Sequence, residues 1–231
     1  MILQRIFNGF FNFLWSFVRG VVSGERGQVL EMAINNNFDT AYEYMLKLEF
    51  SNDKNALHWN TGEKDITFMG IYRFSNPSWD GWDKMDKWLS CYNLYHIKDD
   101  NLKKQVLQEL SVKFYADDDL KESVKRFYKT SFWDTANLDN ILVYDISKLI
   151  FCFGVNVGVK KAIKYAQQVV GVENDGIIGK NTINALNGFN PLKFEVEYKQ
   201  LFVTYYTQLA KANPAKYERF LSGWLNRVKK T

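Results

Sequence analysis

Hydrophobic positions along most of the chain repeat at three- and four-residue intervals, which is the period of an amphipathic α-helix. Two clear cases are residues 102–110 and 196–209, and a third run ends at Glu49 after Ala41, Tyr44, Met45 and Leu48. Alternation at period two, the mark of a half-buried strand, is rare, and the chain has only three prolines. The pattern therefore predicts an all-α or nearly all-α protein.

The first 24 residues carry their own pattern. Arg5, Asn8, Asn12, Ser16 and Arg19 face away from an apolar stripe of Ile6, Phe7, Phe10, Phe11, Leu14, Trp15, Val18, Val21 and Val22. The asparagines and Arg19 interrupt the apolar stretch, which argues against a transmembrane span. No small-residue site for signal-peptide cleavage stands out after it. Residues 1–24 are thus predicted to form an amphipathic helix. It is expected to act as a signal-anchor, to lie on a membrane surface or to pack on the catalytic lobe.

Net charge and amino-acid composition limit the classes of molecule that the protein is expected to bind. The net charge is +4 and 16% of residues are aromatic, which suits a surface for an anionic polymer with stackable sugar rings. Lysines and arginines are widely spread and no nucleic-acid motif is present, so we expect no nucleic-acid partner.

The two cysteines and two histidines show no metal-ligand spacing, so we expect neither a metal nor a cofactor. The same spacing opposes a zinc amidase or endopeptidase. Cys152, between two phenylalanines, is predicted to be a buried thiol.

Glu49 is the candidate general acid. It ends a helical pattern beside an apolar stripe and precedes a polar, aromatic-rich loop over residues 50–66. Apolar surroundings penalise the charged form of a carboxyl group and help it to keep its proton. The alternative is an ordinary solvated glutamate.

The order of Leu48-Glu49, a loop, Thr67 and Gly70-Ile71 resembles the N-terminal signature of glycoside hydrolase family 108, the phage and bacterial N-acetylmuramidases. The resemblance implies that Glu49 is the catalytic glutamate and that Thr67 is the threonine of the signature. Phe50 and Ser51 stand where the family has two glycines, and Asn52-Asp53 lacks the proline that follows in the family.

Hydrolysis also needs a group that positions or deprotonates water. Glu63 and Asp65 lie in the loop after Glu49, and Asp53 is a further carboxylate. A second carboxylate about 6.5–9.5 Å from the acid would imply inversion at the sugar carbon. Alternatively, the Thr67 hydroxyl could hold the attacking water.

Aromatic and imidazole side chains in the same region are candidates for sugar binding. They are His58, Tyr72, Trp79 and Trp82. The two tryptophans are three residues apart at the start of a predicted helix, so we expect one in the cleft and one in the core.

The C-terminal third contains the pattern Gln-x-x-x-Gly-Val-x-x-Asp-Gly-x-Ile-Gly-x-x-Thr over residues 167–182. It predicts a helix that stops at Gly171, a tight turn braced by Asp175, and a second helix that starts near Asn181. The pattern resembles the predicted peptidoglycan-binding module that follows family 108 catalytic domains. We expect three parts: residues 1–27 as N-terminal helix and join, 28–140 as catalytic domain and 141–231 as peptidoglycan-binding module.

The resemblance implies a lysozyme-like helical lobe packed with a helical wall-binding module. The implied activity is that of an endolysin, which hydrolyses the β-1,4 bond between N-acetylmuramic acid and N-acetylglucosamine in peptidoglycan. Such a protein is made in the host cytoplasm and acts on the wall, as a monomer. The alternatives are a lytic transglycosylase, a non-catalytic wall-binding or phage structural protein, and a membrane-active effector led by residues 1–24.

Overall fold

The protein is described by a computed structural model that covers residues 25–50 and 53–231, with side-chain surroundings from residue 37 onward. The helix predicted over residues 1–24 lies outside these ranges. The described residues form α1 Glu25–Glu49, α2 Gly81–Cys91, α3 Asp100–Tyr115, α4 Asp118–Tyr128, α5 Tyr144–Val157, α6 Val159–Val170, α7 Lys180–Asn187, α8 Pro191–Ala212 and α9 Pro214–Lys230. The prediction of a nearly all-α protein is confirmed.

Short polar side chains set several helix starts. The carboxylates of Asp99 and Asp117 accept hydrogen bonds from the backbone two or three residues into α3 and α4. Asn190 and Asn213 cap α8 and α9, each followed by a proline at the first helical position. A π-helical turn, Lys129–Asp134, continues α4 and widens the chain there.

A small antiparallel sheet lies between α1 and α3, with strands β1 Leu57–His58, β2 Thr67–Phe68 and β3 Ile71–Tyr72 in that order. Strands of two residues are too short to show an alternating pattern, so the sequence did not reveal them. The sheet is tied to α3 because the Ser111 hydroxyl accepts a hydrogen bond of 2.9 Å from the Leu57 amide.

The β2–β3 turn explains the glycine of the Thr-x-x-Gly-Ile segment. Met69 and Gly70 have φ values of +44° and +80°, as a two-residue hairpin turn of type I′ requires. A side chain at Gly70 would also bring its Cβ to 2.5 Å from the Tyr128 hydroxyl. That hydroxyl donates a hydrogen bond of 2.8 Å to the Met69 carbonyl, so the turn is fixed against α4.

Aromatic rings fill the core on both sides of α5. Phe38 and Trp133 contact Phe151 on one side, and Phe153 stacks on Phe202 of α8 at 3.8 Å on the other. Cys152 lies among them and is 4% exposed, as predicted.

The last helix reaches back to the first. Val228 of α9 is buried, and the Tyr44 hydroxyl of α1 donates a hydrogen bond to the Lys230 carbonyl. The end of α9 is therefore packed beside the end of α1. Within residues 25–50 and 53–231, no helix has the length and apolarity needed to cross a bilayer.

Candidate functional site

Glu49 opens onto a cleft of about 430 Å³. The cleft is walled by the end of α1, the three-stranded sheet, the end of α4 with its π-helical turn, and α5. His58 and Thr67 line it together with Glu49, and Ser131 lines it from the π-helical turn. π-Helical turns are frequent at functional sites, because the extra residue re-aims neighbouring side chains.

The sheet register explains why His58 and Thr67 reach the same cleft. Thr67 pairs with His58 on one side and with Tyr72 on the other, so the three residues share one face of the sheet. The opposite face carries Leu57, Phe68 and Ile71, all buried in the core. Two strand residues separated by nine positions in sequence, His58 and Thr67, are thus neighbours beside Glu49.

Glu49 has a charged partner in addition to the apolar neighbours that the sequence suggested. Both of its carboxylate oxygens accept hydrogen bonds from the guanidinium of Arg227 on α9. The two side chains are 19% and 24% exposed. Burial lowers the pKa of Arg227.

The ion pair changes the chemistry expected of Glu49. A guanidinium in contact stabilises the carboxylate and disfavours the protonated form that an acid catalyst needs. Sequence reasoning missed Arg227 because 178 positions separate it from Glu49 and no local signal marks it.

The two candidate carboxylates of the loop, Glu63 and Asp65, do not line the Glu49 cleft. Both oxygens of Glu63 accept from Asn60, at 3.0 Å from its side chain and 3.2 Å from its backbone. Asp65 accepts from the Tyr95 hydroxyl at 2.9 Å and from the backbone amide of Ile66 at 2.8 Å. Both carboxylates therefore hold the loop in shape. Burial and the hydrogen bond to Asp65 raise the pKa of Tyr95 to about 12.

The expectation that one tryptophan lies in the cleft is wrong. Trp79 and Trp82 are 8% and 2% exposed and contact each other edge to face at 4.7 Å. Their indole nitrogens donate to backbone carbonyls, at 2.7 Å from Trp82 to Asn76 and 3.4 Å from Trp79 to Ser123. The two tryptophans pack together at the start of α2, and neither ring face is available to a sugar.

Tyr72 shares the sheet face of Thr67 but does not line the cleft. Its hydroxyl accepts a hydrogen bond of 2.9 Å from the Lys64 amide, and its ring contacts Phe74 at 6.0 Å. Of the predicted site residues, the structure therefore brings together Glu49, Thr67 and His58. Their roles stay predictions. In the described ranges, no group of three or more His, Cys, Asp or Glu side chains could hold a metal ion.

The C-terminal pattern is built around a buried glutamine. Gln167, 1% exposed, donates to the Asp175 carboxylate at 2.7 Å and the Ile177 carbonyl at 3.0 Å, and it accepts from the Gly176 amide at 2.8 Å. Asp175 also accepts from the Ile177 amide at 2.8 Å, and the hydrogen bond from Gln167 contributes most to lowering the pKa of that carboxyl. The predicted turn and its bracing aspartate are confirmed, with α6 ending before Gly171 and α7 beginning at Lys180.

Comparison with known proteins links this C-terminal region to the cell wall. Residues 161–229, from α6 through most of α9, match the family described as Predicted Peptidoglycan domain. A solved structure of SagA from Brucella abortus is similar, with 17% identity and a TM-score of 0.47, over 84% of this chain and 97% of that one. No curated protein matches. The family match supports peptidoglycan as a partner of the region that also supplies Arg227.

Proposed function

We propose that this protein cleaves the glycan strands of peptidoglycan at the β-1,4 bond between N-acetylmuramic acid and N-acetylglucosamine, with Glu49 as the general acid. One observation carries the proposal. Glu49 opens onto a cleft beside Thr67, and its partner Arg227 lies within the segment that matches a peptidoglycan domain. The candidate acid and the candidate wall-binding region thus meet at one contact.

Acid catalysis requires the ion pair to open. Contact with Arg227 favours the carboxylate form of Glu49 over the protonated form that an acid catalyst needs. A glycan strand that enters the cleft displaces water and favours the neutral form of the carboxyl group, provided that the guanidinium moves away. Glu49 would then protonate the glycosidic oxygen as the leaving sugar departs.

The group that attacks the sugar carbon distinguishes a muramidase from a lytic transglycosylase. If the Thr67 hydroxyl holds a water molecule across the cleft, the product is a reducing end. Among the described residues that line the cleft, Glu49 is the single carboxylate, which favours the alternative of a lytic transglycosylase. In that reaction the muramic acid's own hydroxyl attacks and an anhydro end results.

A non-catalytic wall-binding role is the other alternative. Glu49 is half-buried and both of its oxygens are paired with Arg227. A purely structural contact between α1 and α9 would have the same features.

Clearing of purified sacculi tests these possibilities. Wild type is compared with Glu49→Gln and with the control Glu43→Gln, an exposed glutamate on the same helix. Released fragments are identified by mass spectrometry, and folding is checked by thermal unfolding. We expect clearing by wild type and by the control, and none by Glu49→Gln.

The products decide the reaction. Reducing muramic acid ends support the muramidase, and anhydro ends support the transglycosylase. Equal clearing by wild type and Glu49→Gln would remove Glu49 from the mechanism, and no clearing by any folded variant would leave the wall-binding role.

Residues 1–24 are assigned in this proposal to delivery, through contact with a membrane surface, before the protein acts on the wall. A chain that lacks them should still clear purified sacculi. Loss of clearing would instead favour the membrane-active alternative.

A further inference from the structure

A second cavity, of about 610 Å³, lies between the loop over residues 54–63 and the first turns of α3. Its lining includes Lys54, Trp59, Lys103 and Lys104, and we call it the basic groove. His58 lines both the basic groove and the Glu49 cleft, so the two cavities meet at that side chain.

The lysines of the basic groove are available to a ligand. None of the three has a carboxylate at ion-pair distance among the described residues. The groove also contains Glu63 and Asp100, but both oxygens of Glu63 already accept from Asn60. Asp100 lies in the first turn of α3, where the helix dipole favours a negative charge. The groove therefore holds three lysines against two carboxylates, a net charge of +1.

One wall of the groove is a fixed aromatic ring. The indole nitrogen of Trp59 donates a hydrogen bond of 3.0 Å to the Glu63 carbonyl, and Tyr95 contacts the ring edge to face at 5.4 Å. The Lys103 ammonium lies 4.7 Å from the centre of the same ring. The groove thus offers a flat apolar surface beside cations, which suits a ligand with both an apolar part and an anionic group.

We propose that the basic groove binds the carboxylate-bearing peptide stem of peptidoglycan while the glycan backbone lies in the Glu49 cleft. The proposal rests on the proposed function, because it takes that cleft as the glycan site. Each muramic acid carries a stem with free carboxylates, and a stem that leaves the cleft at His58 enters the groove directly. A bare sugar chain would have no anionic partner for three lysines.

Binding of soluble muropeptides tests the proposal. The probes are N-acetylglucosaminyl-N-acetylmuramic acid with a tetrapeptide stem, the same compound with its stem carboxylates amidated, and the stem-free disaccharide. Each probe contains only the bond from C1 of N-acetylglucosamine to O4 of N-acetylmuramic acid. The bond proposed to be cleaved runs from C1 of N-acetylmuramic acid to O4 of the next N-acetylglucosamine, so binding is measured without reaction. Lys103→Gln/Lys104→Gln removes two groove charges, and Lys87→Gln/Lys211→Gln removes two exposed charges elsewhere.

Wild type and the control should bind the acidic stem about 5- to 20-fold more tightly than the amidated stem, as expected for two partly exposed charge contacts. The groove variant should lose that preference and should bind the stem-free disaccharide as wild type does. The preference should also shrink as salt rises from low to about 0.5 M, because exposed charges are screened.

Equal wild-type affinity for the acidic and amidated stems would overturn the proposal. So would an equal loss of affinity for all three probes in the groove variant, or loss of the preference in the control. Because no outcome depends on bond cleavage, an inactive protein that keeps the carboxylate preference would refute the proposed reaction and not the stem site.

Discussion

Replacement of Arg227 by glutamine tests whether the contact between α1 and α9 controls the charge of Glu49. Exposed ion pairs contribute about 0–1 kcal/mol, and removal of one partner from a fully buried pair costs about 3–5 kcal/mol. The two side chains are 19% and 24% exposed, between these limits. We therefore expect Arg227→Gln to lower the free energy of unfolding at pH 7 by about 1–3 kcal/mol.

The loss should depend on pH in a defined direction. The pair stabilises the folded state while Glu49 is charged, so the difference between wild type and Arg227→Gln is largest near neutral pH. It shrinks as pH falls through the range in which the carboxyl group takes up a proton, because a neutral carboxyl needs no cation. For a chain of this size, each kcal/mol corresponds to about 2–4 °C in Tm.

If Glu49 is the acid, Arg227→Gln should lower stability but raise sacculus clearing at alkaline pH relative to wild type. A guanidinium in contact favours the charged carboxylate, so its removal should extend the alkaline limb of sacculus clearing to higher pH. Arg219→Gln is the control, since Arg219 is exposed on the same helix. The double variant Glu49→Gln/Arg227→Gln should recover part of the lost stability, because it leaves no unpaired charge.

Two results would refute this reasoning. One is a Tm for Arg227→Gln equal to that of Arg219→Gln at pH 7. The other is an unchanged pH profile in a variant that is destabilised, which would make the contact structural and separate it from the chemistry.

Three further predictions concern other parts of the fold. Gly70→Ala should lower the free energy of unfolding by about 1–3 kcal/mol, measured by denaturant titration, because the position has positive φ and its Cβ would lie 2.5 Å from a buried tyrosine hydroxyl. Gln167→Ala should cost about 2–4 kcal/mol by thermal unfolding and should weaken sedimentation with sacculi, since it leaves the buried polar groups of the turn unpaired. Burial raises the pKa of Cys152 to about 12, so a thiol reagent at pH 8 should modify exposed Cys91 at once and Cys152 only after unfolding.

The two substitutions have matched control variants, and the thiol prediction has a contradicting outcome. Gly62 also has positive φ, but a Cβ there would meet nothing within 4 Å, so Gly62→Ala isolates backbone strain from the clash. Gln168 is exposed beside Gln167, and Gln168→Ala should leave both Tm and sedimentation unchanged. Rapid modification of both thiols in the folded protein would contradict the burial of Cys152.

Local patterns predicted the fold well and the site only in part. Apolar spacing located α3 and α8, and the Asp-Gly turn after Gly171 was found because turn chemistry is written in neighbouring residues. The sheet was not predicted from the sequence, because its strands are only two residues long. It is nevertheless the element that brings Thr67 and His58 beside Glu49.

Side-chain direction was the hardest feature to infer. The pair Trp79 and Trp82 has a spacing that fits a core anchor and a sugar platform equally, and only the packed structure shows both rings in the core. Loop carboxylates are similarly ambiguous, since Glu63 accepts from Asn60 of its own loop and Asp65 accepts from the distant Tyr95 hydroxyl. Arg227 could not be found at all, because a contact between the ends of two distant helices depends on the whole fold.

The contact between α1 and α9 also decides how the domains should be dissected. The expected division at residue 140 assigns Glu49 to one part and Arg227 to the other, yet the two side chains form one half-buried pair. Removal of residues 141–231 would remove the ion-pair partner of Glu49. It would also expose the surface against which Val228 packs and leave the Tyr44 hydroxyl without its hydrogen bond to Lys230. A truncated protein that fails to clear sacculi would therefore not show that wall binding was lost. Point variants separate the two effects, because Gln167→Ala alters the turn at Asp175 within the segment that matches the peptidoglycan domain and removes neither Glu49 nor Arg227.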